Sequence, residues 1–308
     1  MRSTSSAVCA IGAGAGFAGD RTDPAVALAA SGEVDAVVLE CLAERTLVPA
    51  LRARQENSQA GADPRLRRRL TPLLPVAFSR GVRIVSNLGA ANPVAAGAAI
   101  AALARELGLG GLKVAAIQGD DVMAQLPHIA WAQPLQGQLL GAHAYLGCHP
   151  MADALAQGAD VVVTGRVADS ALFAAVARDR IDASESALAG ALAVGHLLEC
   201  GGQLSGGNYE PVAGAGMTPP LTANDYARLG YPLARVHADG SAEIALPQGA
   251  PGILDPLTCT LQLLYEVHDP ARYATPDLVL DFSGVRFEAL APGRVQMHGA
   301  RSLGPPPT

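Results

Sequence analysis

Apolar runs and alanine-rich segments alternate along most of the first 200 residues. Five runs consist almost entirely of apolar residues and are predicted to be β-strands: AVCAI (7–11), VDAVVLE (34–40), VRIVS (82–86), LKVAAI (112–117) and ADVVVT (159–164). Continuous apolar character is typical of strands covered on both faces, as in a parallel sheet between helices. The segments beside them predict helices at 24–31, 44–56, 63–80, 93–108, 150–158, 169–179 and 186–200. We therefore predict an α/β fold with a doubly wound, mostly parallel sheet.

The pattern changes near residue 205, where a Gly/Pro-rich stretch without periodicity begins and runs to residue 220. Two later segments are predicted to be β-hairpins that turn at Asp239-Gly240 and Pro292-Gly293: LARVHADGSAEIAL (233–246) and VRFEALAPGRVQMHGA (285–300). We therefore predict two domains, a Rossmann-like core at 1–205 and a smaller α+β lobe at 206–308 that ends in a disordered tail.

Composition narrows the class of protein. The 308 residues are 50% hydrophobic and 16% charged, which supplies a substantial core, and the net charge of −6 disfavours nucleic acid as a partner. The basic cluster RLRRRL at 65–70 is predicted to lie on the solvent face of a helix, and an anion or nucleic-acid patch is the less favoured alternative because no aromatic residues interleave with it. Five widely spaced cysteines without a CxxC pair indicate reduced thiols, and the longest apolar run, 93–104, is too short to cross a bilayer. We expect a soluble cytoplasmic protein.

The stretch IGAGAGFAGDRTDP at 11–24 contains a GxGxxG pattern formed by Gly14, Gly16 and Gly19. Such a pattern binds a dinucleotide when a helix begins inside it, so that helix amides face the pyrophosphate. Here the helix-start signal comes later, at Asp23-Pro24, after further charged residues. We therefore favour a glycine loop in which the amides of Gly14 and Gly16 contact substrate over NAD(P) or FAD binding, and a plain tight turn stays open.

Polar residues follow each of the five predicted strands. Because the carboxyl ends of parallel strands share one edge of a sheet, these residues are expected to line a common crevice. Glu40 and Asp120 are candidate general bases, since burial raises a carboxyl pKa toward neutrality. Arg166 is suited to bind a carboxylate or phosphate, and Asn87 to polarise a carbonyl group.

Each of these assignments has an alternative. Arg166 could instead form a structural ion pair with Glu40, Glu44 or Asp120. Asn92, a further candidate for substrate binding, could simply cap the helix that begins at Pro93, and Asp169 could likewise serve as a cap. No metal is predicted, although Glu40, Asp120 and Asp121 form a weak candidate set for Mg²⁺.

A second polar cluster lies in VGHLLECGGQLSGGNYE at 194–210. His196, Glu199 and Cys200 share one face of a predicted helix, which makes His196 a candidate acid or base and Cys200 a candidate nucleophile. Further ligands for zinc are absent at sensible spacing. Gln203 lies on a glycine-rich loop with Ser205 and Asn208, where it could contact substrate from a lid. The alternative is a helix end that is stopped by two glycines.

Seven segments, taken in order, resemble the acyclic terpene utilisation (AtuA) family, long described as a domain of unknown function: IGAGAGFAGDRTDP, VLECLAERT, RIVSNLGAANP, QGDDV, VVVTGRVADSALF, GHLLECGGQLSGG and LLYEVHDP. The resemblance spans about residues 8–303. It implies a bacterial protein for the catabolism of branched compounds such as citronellol and geraniol, whose intermediates are acyl-CoA thioesters. It also implies an extra C-terminal domain in longer members, so a separate small subunit is an expected partner in trans.

These observations lead to a first hypothesis of an enzyme of hydratase or lyase type that acts on a branched carboxylate or acyl-CoA. No cofactor is predicted beyond the CoA of the substrate. Two alternatives stay open: a non-catalytic subunit that binds a ligand or scaffolds a partner enzyme, and an NAD(P)-linked enzyme. A homodimer is the default expectation for the assembly, and no membrane partner is expected.

Overall fold

The computed structural model describes residues 8–129, 137–207 and 221–307. All five predicted strands are present: β1 (Cys9–Ala15), β2 (Ala36–Leu39), β3 (Arg83–Ser86), β4 (Val114–Ala116) and β5 (Val161–Val163). They pair in parallel in the order β1-β2-β3-β5-β4. The apolar runs thus identify the strands correctly, and β5 is inserted between β3 and β4.

The seven predicted helices are also confirmed: α1 (Asp23–Ser31), α2 (Glu44–Glu56), α3 (Leu66–Arg80), α4 (Pro93–Glu106), α5 (His149–Ala156), α6 (Asp169–Ala177) and α7 (Glu185–Leu198). Local capping explains several of the starting points. The Asn92 side chain accepts a hydrogen bond from the amide of Ala95, and Pro93 occupies the first turn of α4. The Ser184 side chain caps α7 in the same way, through the amide of Ala187.

Within residues 221–307 the structure has two short helices, α8 (Ala223–Ala227) and α9 (Pro256–Leu264), and seven strands: β6 (Leu233–Val236), β7 (Ala242–Ala245), β8 (Tyr273–Ala274), β9 (Val279–Asp281), β10 (Arg286–Ala291), β11 (Arg294–His298) and β12 (Arg301–Ser302). Both predicted hairpins are confirmed, because β6 pairs antiparallel with β7 and β10 with β11. Strands β12, β9 and β8 form a small second sheet.

The two hairpins extend the central sheet. Strand β6 pairs antiparallel with β1, and β11 pairs with β7, which gives nine strands in the order β10-β11-β7-β6-β1-β2-β3-β5-β4. The structure thus confirms a mixed α/β fold with a large sheet and a smaller antiparallel one. Strands from both sides of residue 205, the predicted domain boundary, belong to the same large sheet.

Alternate residues of the parallel strands pack into two hydrophobic clusters. Val37 and Leu39 of β2 belong to a cluster that contains residues of α1, α3 and α4. Val38 of β2 and Val85 of β3 belong to another cluster, which contains residues of α5, α6, α7 and α9. This packing fixes the sheet and leaves its carboxyl edge to carry polar side chains. Among the described residues, no helix is long and apolar enough to span a bilayer.

Candidate functional site

A cavity of about 1070 Å³ opens where the parallel strands end. Its walls come from the segments that follow β1, β2 and β5, from the turn after α7, and from the start of the small sheet. The polar side chains that line it are Asp20, Glu40, Glu44, Arg45, Thr46, Arg65, Tyr145, Arg166, Asp169, Ser170, Glu199, Cys200, Gln203, Tyr231, Tyr265, Glu266, Tyr273 and Thr275.

Glu40 follows β2 directly and lies in the wall of this cavity. Its backbone amide donates to the carbonyl of Ala15, which continues the β1–β2 ladder by one residue. Its Oε1 accepts hydrogen bonds from the Asn87 side-chain amide at 2.9 Å and from the Leu42 amide at 2.8 Å. Burial raises the pKa of Glu40 from an ordinary 4.5 to about 7, against the opposing effect of these two hydrogen bonds. Glu40 therefore exchanges a proton near neutral pH.

Asn87 holds Glu40 in position. Its Nδ2 donates to Glu40 and its Oδ1 accepts from the amide of Cys41 at 2.7 Å, so both ends of the side-chain amide are engaged. It does not belong to the described lining of the cavity. The structure therefore gives Asn87 a positioning role, in place of the predicted contact with a substrate carbonyl.

Asp169 is a second carboxyl in the cavity. It is the first residue of α6, where Ala168 occupies the capping position that Asp169 could have filled. Its Oδ1 is buried and has no hydrogen-bond partner among the described residues. Burial, followed by the negative charges of Glu40 and Glu199, raises the pKa of Asp169 well above its usual range. The protonated form of Asp169 is therefore favoured more strongly than in a solvent-exposed aspartate.

Arg166 is largely engaged within the protein. Its guanidinium donates to the carbonyl of Leu42, to the carboxylate of Glu44 and to the hydroxyl of Tyr145. It also lies over the Tyr145 ring, with Cζ 4.3 Å from the ring centroid. The Tyr145 hydroxyl donates in turn to Glu44. The ion pair with Glu44, an alternative that the sequence left open, is thus present, and Arg166 forms a fixed wall of the cavity.

Asp120 lies at a second cavity of about 880 Å³, which is also lined by Asn92 and Asp121. Its Oδ2 accepts hydrogen bonds from the amide of Arg166 at 2.8 Å and from Nδ1 of His143 at 2.9 Å. The side chains of Glu40, Asp120 and Asp121 are therefore divided between two cavities. The predicted candidate set for Mg²⁺ is not brought together.

His196 is buried behind the cavity wall. Its ring stacks on Phe282, its Nε2 lies 3.1 Å from the carbonyl oxygen of Leu263, and its Nδ1 lies 3.1 Å from Oε1 of Glu199. Burial alone lowers the pKa of His196, but the carboxylate of Glu199 beside Nδ1 outweighs it and raises the pKa. Glu199 is part of the cavity lining, whereas His196 is not among the described lining residues. It therefore orients a cavity carboxylate.

Cys200, the candidate nucleophile, and Gln203, the candidate substrate contact, both line the cavity. Burial, followed by the charge of Glu199, raises the pKa of the Cys200 thiol to about 12. A nucleophilic cysteine requires the thiolate, so this environment disfavours the predicted role of Cys200 in covalent catalysis. Asn208 and most of the Gly/Pro-rich stretch lie outside the described residues.

Comparison with known proteins decides the family. The model of a family described as "Acyclic terpene utilisation family protein AtuA" matches residues 9–308, essentially the whole chain. The protein belongs to the AtuA family. No curated protein and no solved structure gives a significant match. The resemblance drawn from seven short segments is thereby confirmed, and membership suggests a role in the utilisation of acyclic terpenes.

The glycine motif of this AtuA-family protein serves packing. Gly14 lies inside β1, and a Cβ there would come within 2.5 Å of Val37. The amide of Gly16 donates to Asp20 at 2.8 Å. Helix α1 begins at Asp23, after the motif, as the Asp-Pro signal predicted. Gly14 is absent from the described lining of the cavity, and Gly16 lines the cavity with its amide already bonded to Asp20, so the motif does not form the predicted pair of donors toward substrate.

Substituting Gly16 by Ala is expected to lower the free energy of unfolding by about 1–3 kcal/mol. A Cβ at this position would lie 2.3 Å from the backbone carbon of Cys200, so the end of β1 and the turn after α7 would have to separate. Urea denaturation measures the change. Gly110→Ala is the matched control, because a Cβ there meets nothing within 4 Å. Equal stability of the two variants would contradict the packing role.

One group of donor atoms has the composition of a metal site. Ligand atoms of Cys148, His149 and Asp277 lie within 4.8 Å of one another. Asp277 also accepts hydrogen bonds from the amide of Cys148 at 3.0 and 3.1 Å, at the start of α5. Capping of α5 explains the position of this carboxylate, and the group contributes nothing to the cavity lining.

Proposed function

We propose that this AtuA-family protein is an enzyme of hydratase or lyase type that acts on a branched carboxylate or its CoA thioester. The observation that carries the proposal is the pair of protonatable carboxyls, the buried Glu40 and the partly buried Asp169, in one large cavity at the carboxyl edge of the sheet. Ligands bind at this edge in open α/β sheets. General acid–base catalysis is most effective when the catalytic pKa lies near the working pH.

The two carboxyls have complementary roles. In the direction of hydration, the oxygen of a water molecule bonds to one carbon of the substrate double bond, and ionised Glu40 removes a proton from that water. Protonated Asp169 delivers a proton to the neighbouring carbon. Return of one proton from Glu40 to Asp169 through solvent restores both groups, and the reverse sequence eliminates water. Asn87 and the Leu42 amide fix the orientation of Glu40, which leaves its Oε2 for the substrate.

Substituting Asp169 by Asn is expected to lower kcat about 100-fold or more, since a general acid contributes about 10²–10⁴ to the rate. The assay follows loss of the conjugated thioester absorbance for a series of branched and straight-chain acyl-CoAs. Asp153→Asn, at an exposed position on α5, is the matched control. Full turnover by Asp169→Asn would refute its role as the acid. Saturable binding without turnover by the unaltered protein would favour the non-catalytic, ligand-binding alternative.

A further inference from the structure

The mouth of the cavity carries arginines that are not used in ion pairs. Arg45 and Arg65 line the cavity, and both are exposed. Neither guanidinium forms an ion pair with a carboxylate in the described part of the chain, where the paired arginines are others, although the Arg65 backbone amide donates to Asp63 at 2.6 Å. Arg166, the buried arginine of the cavity lining, differs from these two because its guanidinium is already bonded to Glu44 and Tyr145. Arg45 and Arg65 are thus the lining arginines whose guanidinium groups are available to an anion, in a lining that also carries the exposed carboxylates of Glu44 and Glu266.

The positions of these two arginines are unfavourable for the helices that carry them. Arg45 is the second residue of α2, and Arg65 is the residue that caps the start of α3. The positive end of the helix dipole favours anions there and disfavours cations by a few tenths of a kcal/mol to about 1 kcal/mol. An anionic ligand at the cavity mouth would reverse the sign of this effect, because it would interact favourably with both the arginines and the helix ends.

A third arginine lies buried behind the same entrance. Arg69 is 2% exposed, and its Nη2 donates to the carbonyls of Ala18 at 2.8 Å and Phe17 at 3.3 Å. Its Nε and Nη1 are buried without a partner among residues 8–129, 137–207 and 221–307. Phe17 and Ala18 themselves line the cavity. Asp63 is close enough to interact with this charge, but Arg69 forms no ion pair in the described part of the chain, and the field of a buried arginine is less screened in the adjacent cavity than that of a surface arginine.

We propose that Arg45 and Arg65 bind the phosphate groups of a carrier to which the substrate is attached, and that the charge of Arg69 behind them adds to the attraction. This inference rests on the proposed function and names the class of its substrate: a thioester on a phosphate-bearing nucleotide carrier, with the acyl group extending inward to Glu40. The cavity of about 1070 Å³ is larger than a small branched acid needs. Phe17, which is 50% exposed at the mouth, offers a ring face to the base of the nucleotide.

The test is calorimetric titration of the full chain with three probes: coenzyme A, pantetheine, and inorganic pyrophosphate. Coenzyme A is expected to bind at least tenfold more tightly than pantetheine, and pyrophosphate is expected to compete with it. The double variant Arg45→Gln, Arg65→Gln is expected to weaken coenzyme A binding about 10- to 100-fold and to leave pantetheine binding unchanged. The affinity of the unaltered protein for coenzyme A should fall steeply with added salt, whereas that of the double variant should depend on salt much less.

The matched control is Arg67→Gln, Arg68→Gln, which removes two exposed arginines of α3 that are absent from the cavity lining. It should bind coenzyme A as the unaltered protein does. Equal affinity for coenzyme A and pantetheine, or unchanged coenzyme A affinity in the Arg45, Arg65 variant, would overturn the inference. Turnover of an uncharged or free-acid substrate could still support the proposed function in that case. If coenzyme A binds tightly but the Glu40→Gln, Asp169→Asn double variant keeps full activity, the proposed function is overturned and the phosphate-binding inference stands.

Discussion

Replacing Glu40 by Gln is expected to lower kcat by about 10²–10⁴-fold, the range that a general base contributes. Glutamine keeps the oxygen that accepts hydrogen bonds from Asn87 and Leu42, so the local structure should persist. It cannot accept a proton at any working pH, so the proton-transfer step should fail. Steady-state kinetics on the acyl-CoA that the unaltered protein turns over fastest measures the effect, with KM changing much less than kcat.

Glu56→Gln is the control for this substitution. Glu56 ends α2 at an exposed position, so the same change of charge is made outside the cavity. It should leave kcat within about twofold, as expected for a surface substitution. Loss of activity in both variants would indicate a general effect of net charge, and retained activity in Glu40→Gln would exclude Glu40 as the base.

The same substitution is expected to stabilise the protein in alkaline solution. The folded-state pKa of Glu40, about 7, exceeds its ordinary value of 4.5, because burial disfavours the charged form. The contribution of protonated Glu40 to the free energy of unfolding is therefore fully present below about pH 4.5 and is lost as the pH rises through 7. At about pH 8 the ionised, buried carboxylate lowers the free energy of unfolding by about 3 kcal/mol, at 1.4 kcal/mol per pKa unit.

Urea unfolding of Glu40→Gln and of the unaltered protein at about pH 5 and pH 8 measures this effect. The stability difference in favour of the variant should grow by about 2–3 kcal/mol between the two conditions. Asp169→Asn should shift in the same direction, since burial and the charges of Glu40 and Glu199 raise the pKa of Asp169. A difference that does not change with pH would show that Glu40 is already ionised at pH 5. A residue whose removal raises stability and abolishes activity is typical of a catalytic site.

The sequence predicts the elements better than their arrangement. Runs such as ADVVVT are apolar on both faces, so they could be assigned to a buried parallel sheet without knowledge of their neighbours. The pairing of β6 with β1 has no such signal, because a hairpin pattern specifies its own two strands and not the edge to which it adds. The change of composition near residue 205 therefore marks the end of the strand–helix alternation, but the large sheet continues across it.

Strand order also explains which candidate residues come together. Strands β2 and β4 are separated by β3 and β5, which is three strand spacings or roughly 14 Å. Glu40 follows β2 and Asp120 follows β4, so they cannot share one small ligand site. The sequence shows that both follow buried strands, but the insertion of β5 between β3 and β4 depends on long-range packing.

In the basic cluster at 65–70, helical spacing could have shown that Arg65 and Arg69 lie on the same face of the helix. The sequence favours one solvent face over an anion-binding patch for this cluster, but the structure buries Arg69. Arg65 and Arg69 are four residues apart and lie near the cavity mouth, whereas Arg67 forms an exposed ion pair with Glu106. The i, i+4 spacing was available from the sequence alone. Tyr145 had no comparable signal, because the segment that carries it lies outside helices and strands and its contact with Arg166 is made across 21 residues.

The most direct test of this account is the pKa of Glu40 itself, measured from the side-chain ¹³C carboxyl resonance in glutamate-labelled protein and assigned by its loss in Glu40→Gln. A carboxyl that changes protonation near pH 7 is the property from which the proposed chemistry follows. A midpoint near 7 that shifts when Asp169 is replaced by Asn would be the predicted result, because the two groups interact. A midpoint near 4.5, insensitive to Asp169, would show a permanently ionised carboxylate and would contradict the proposed acid–base pair.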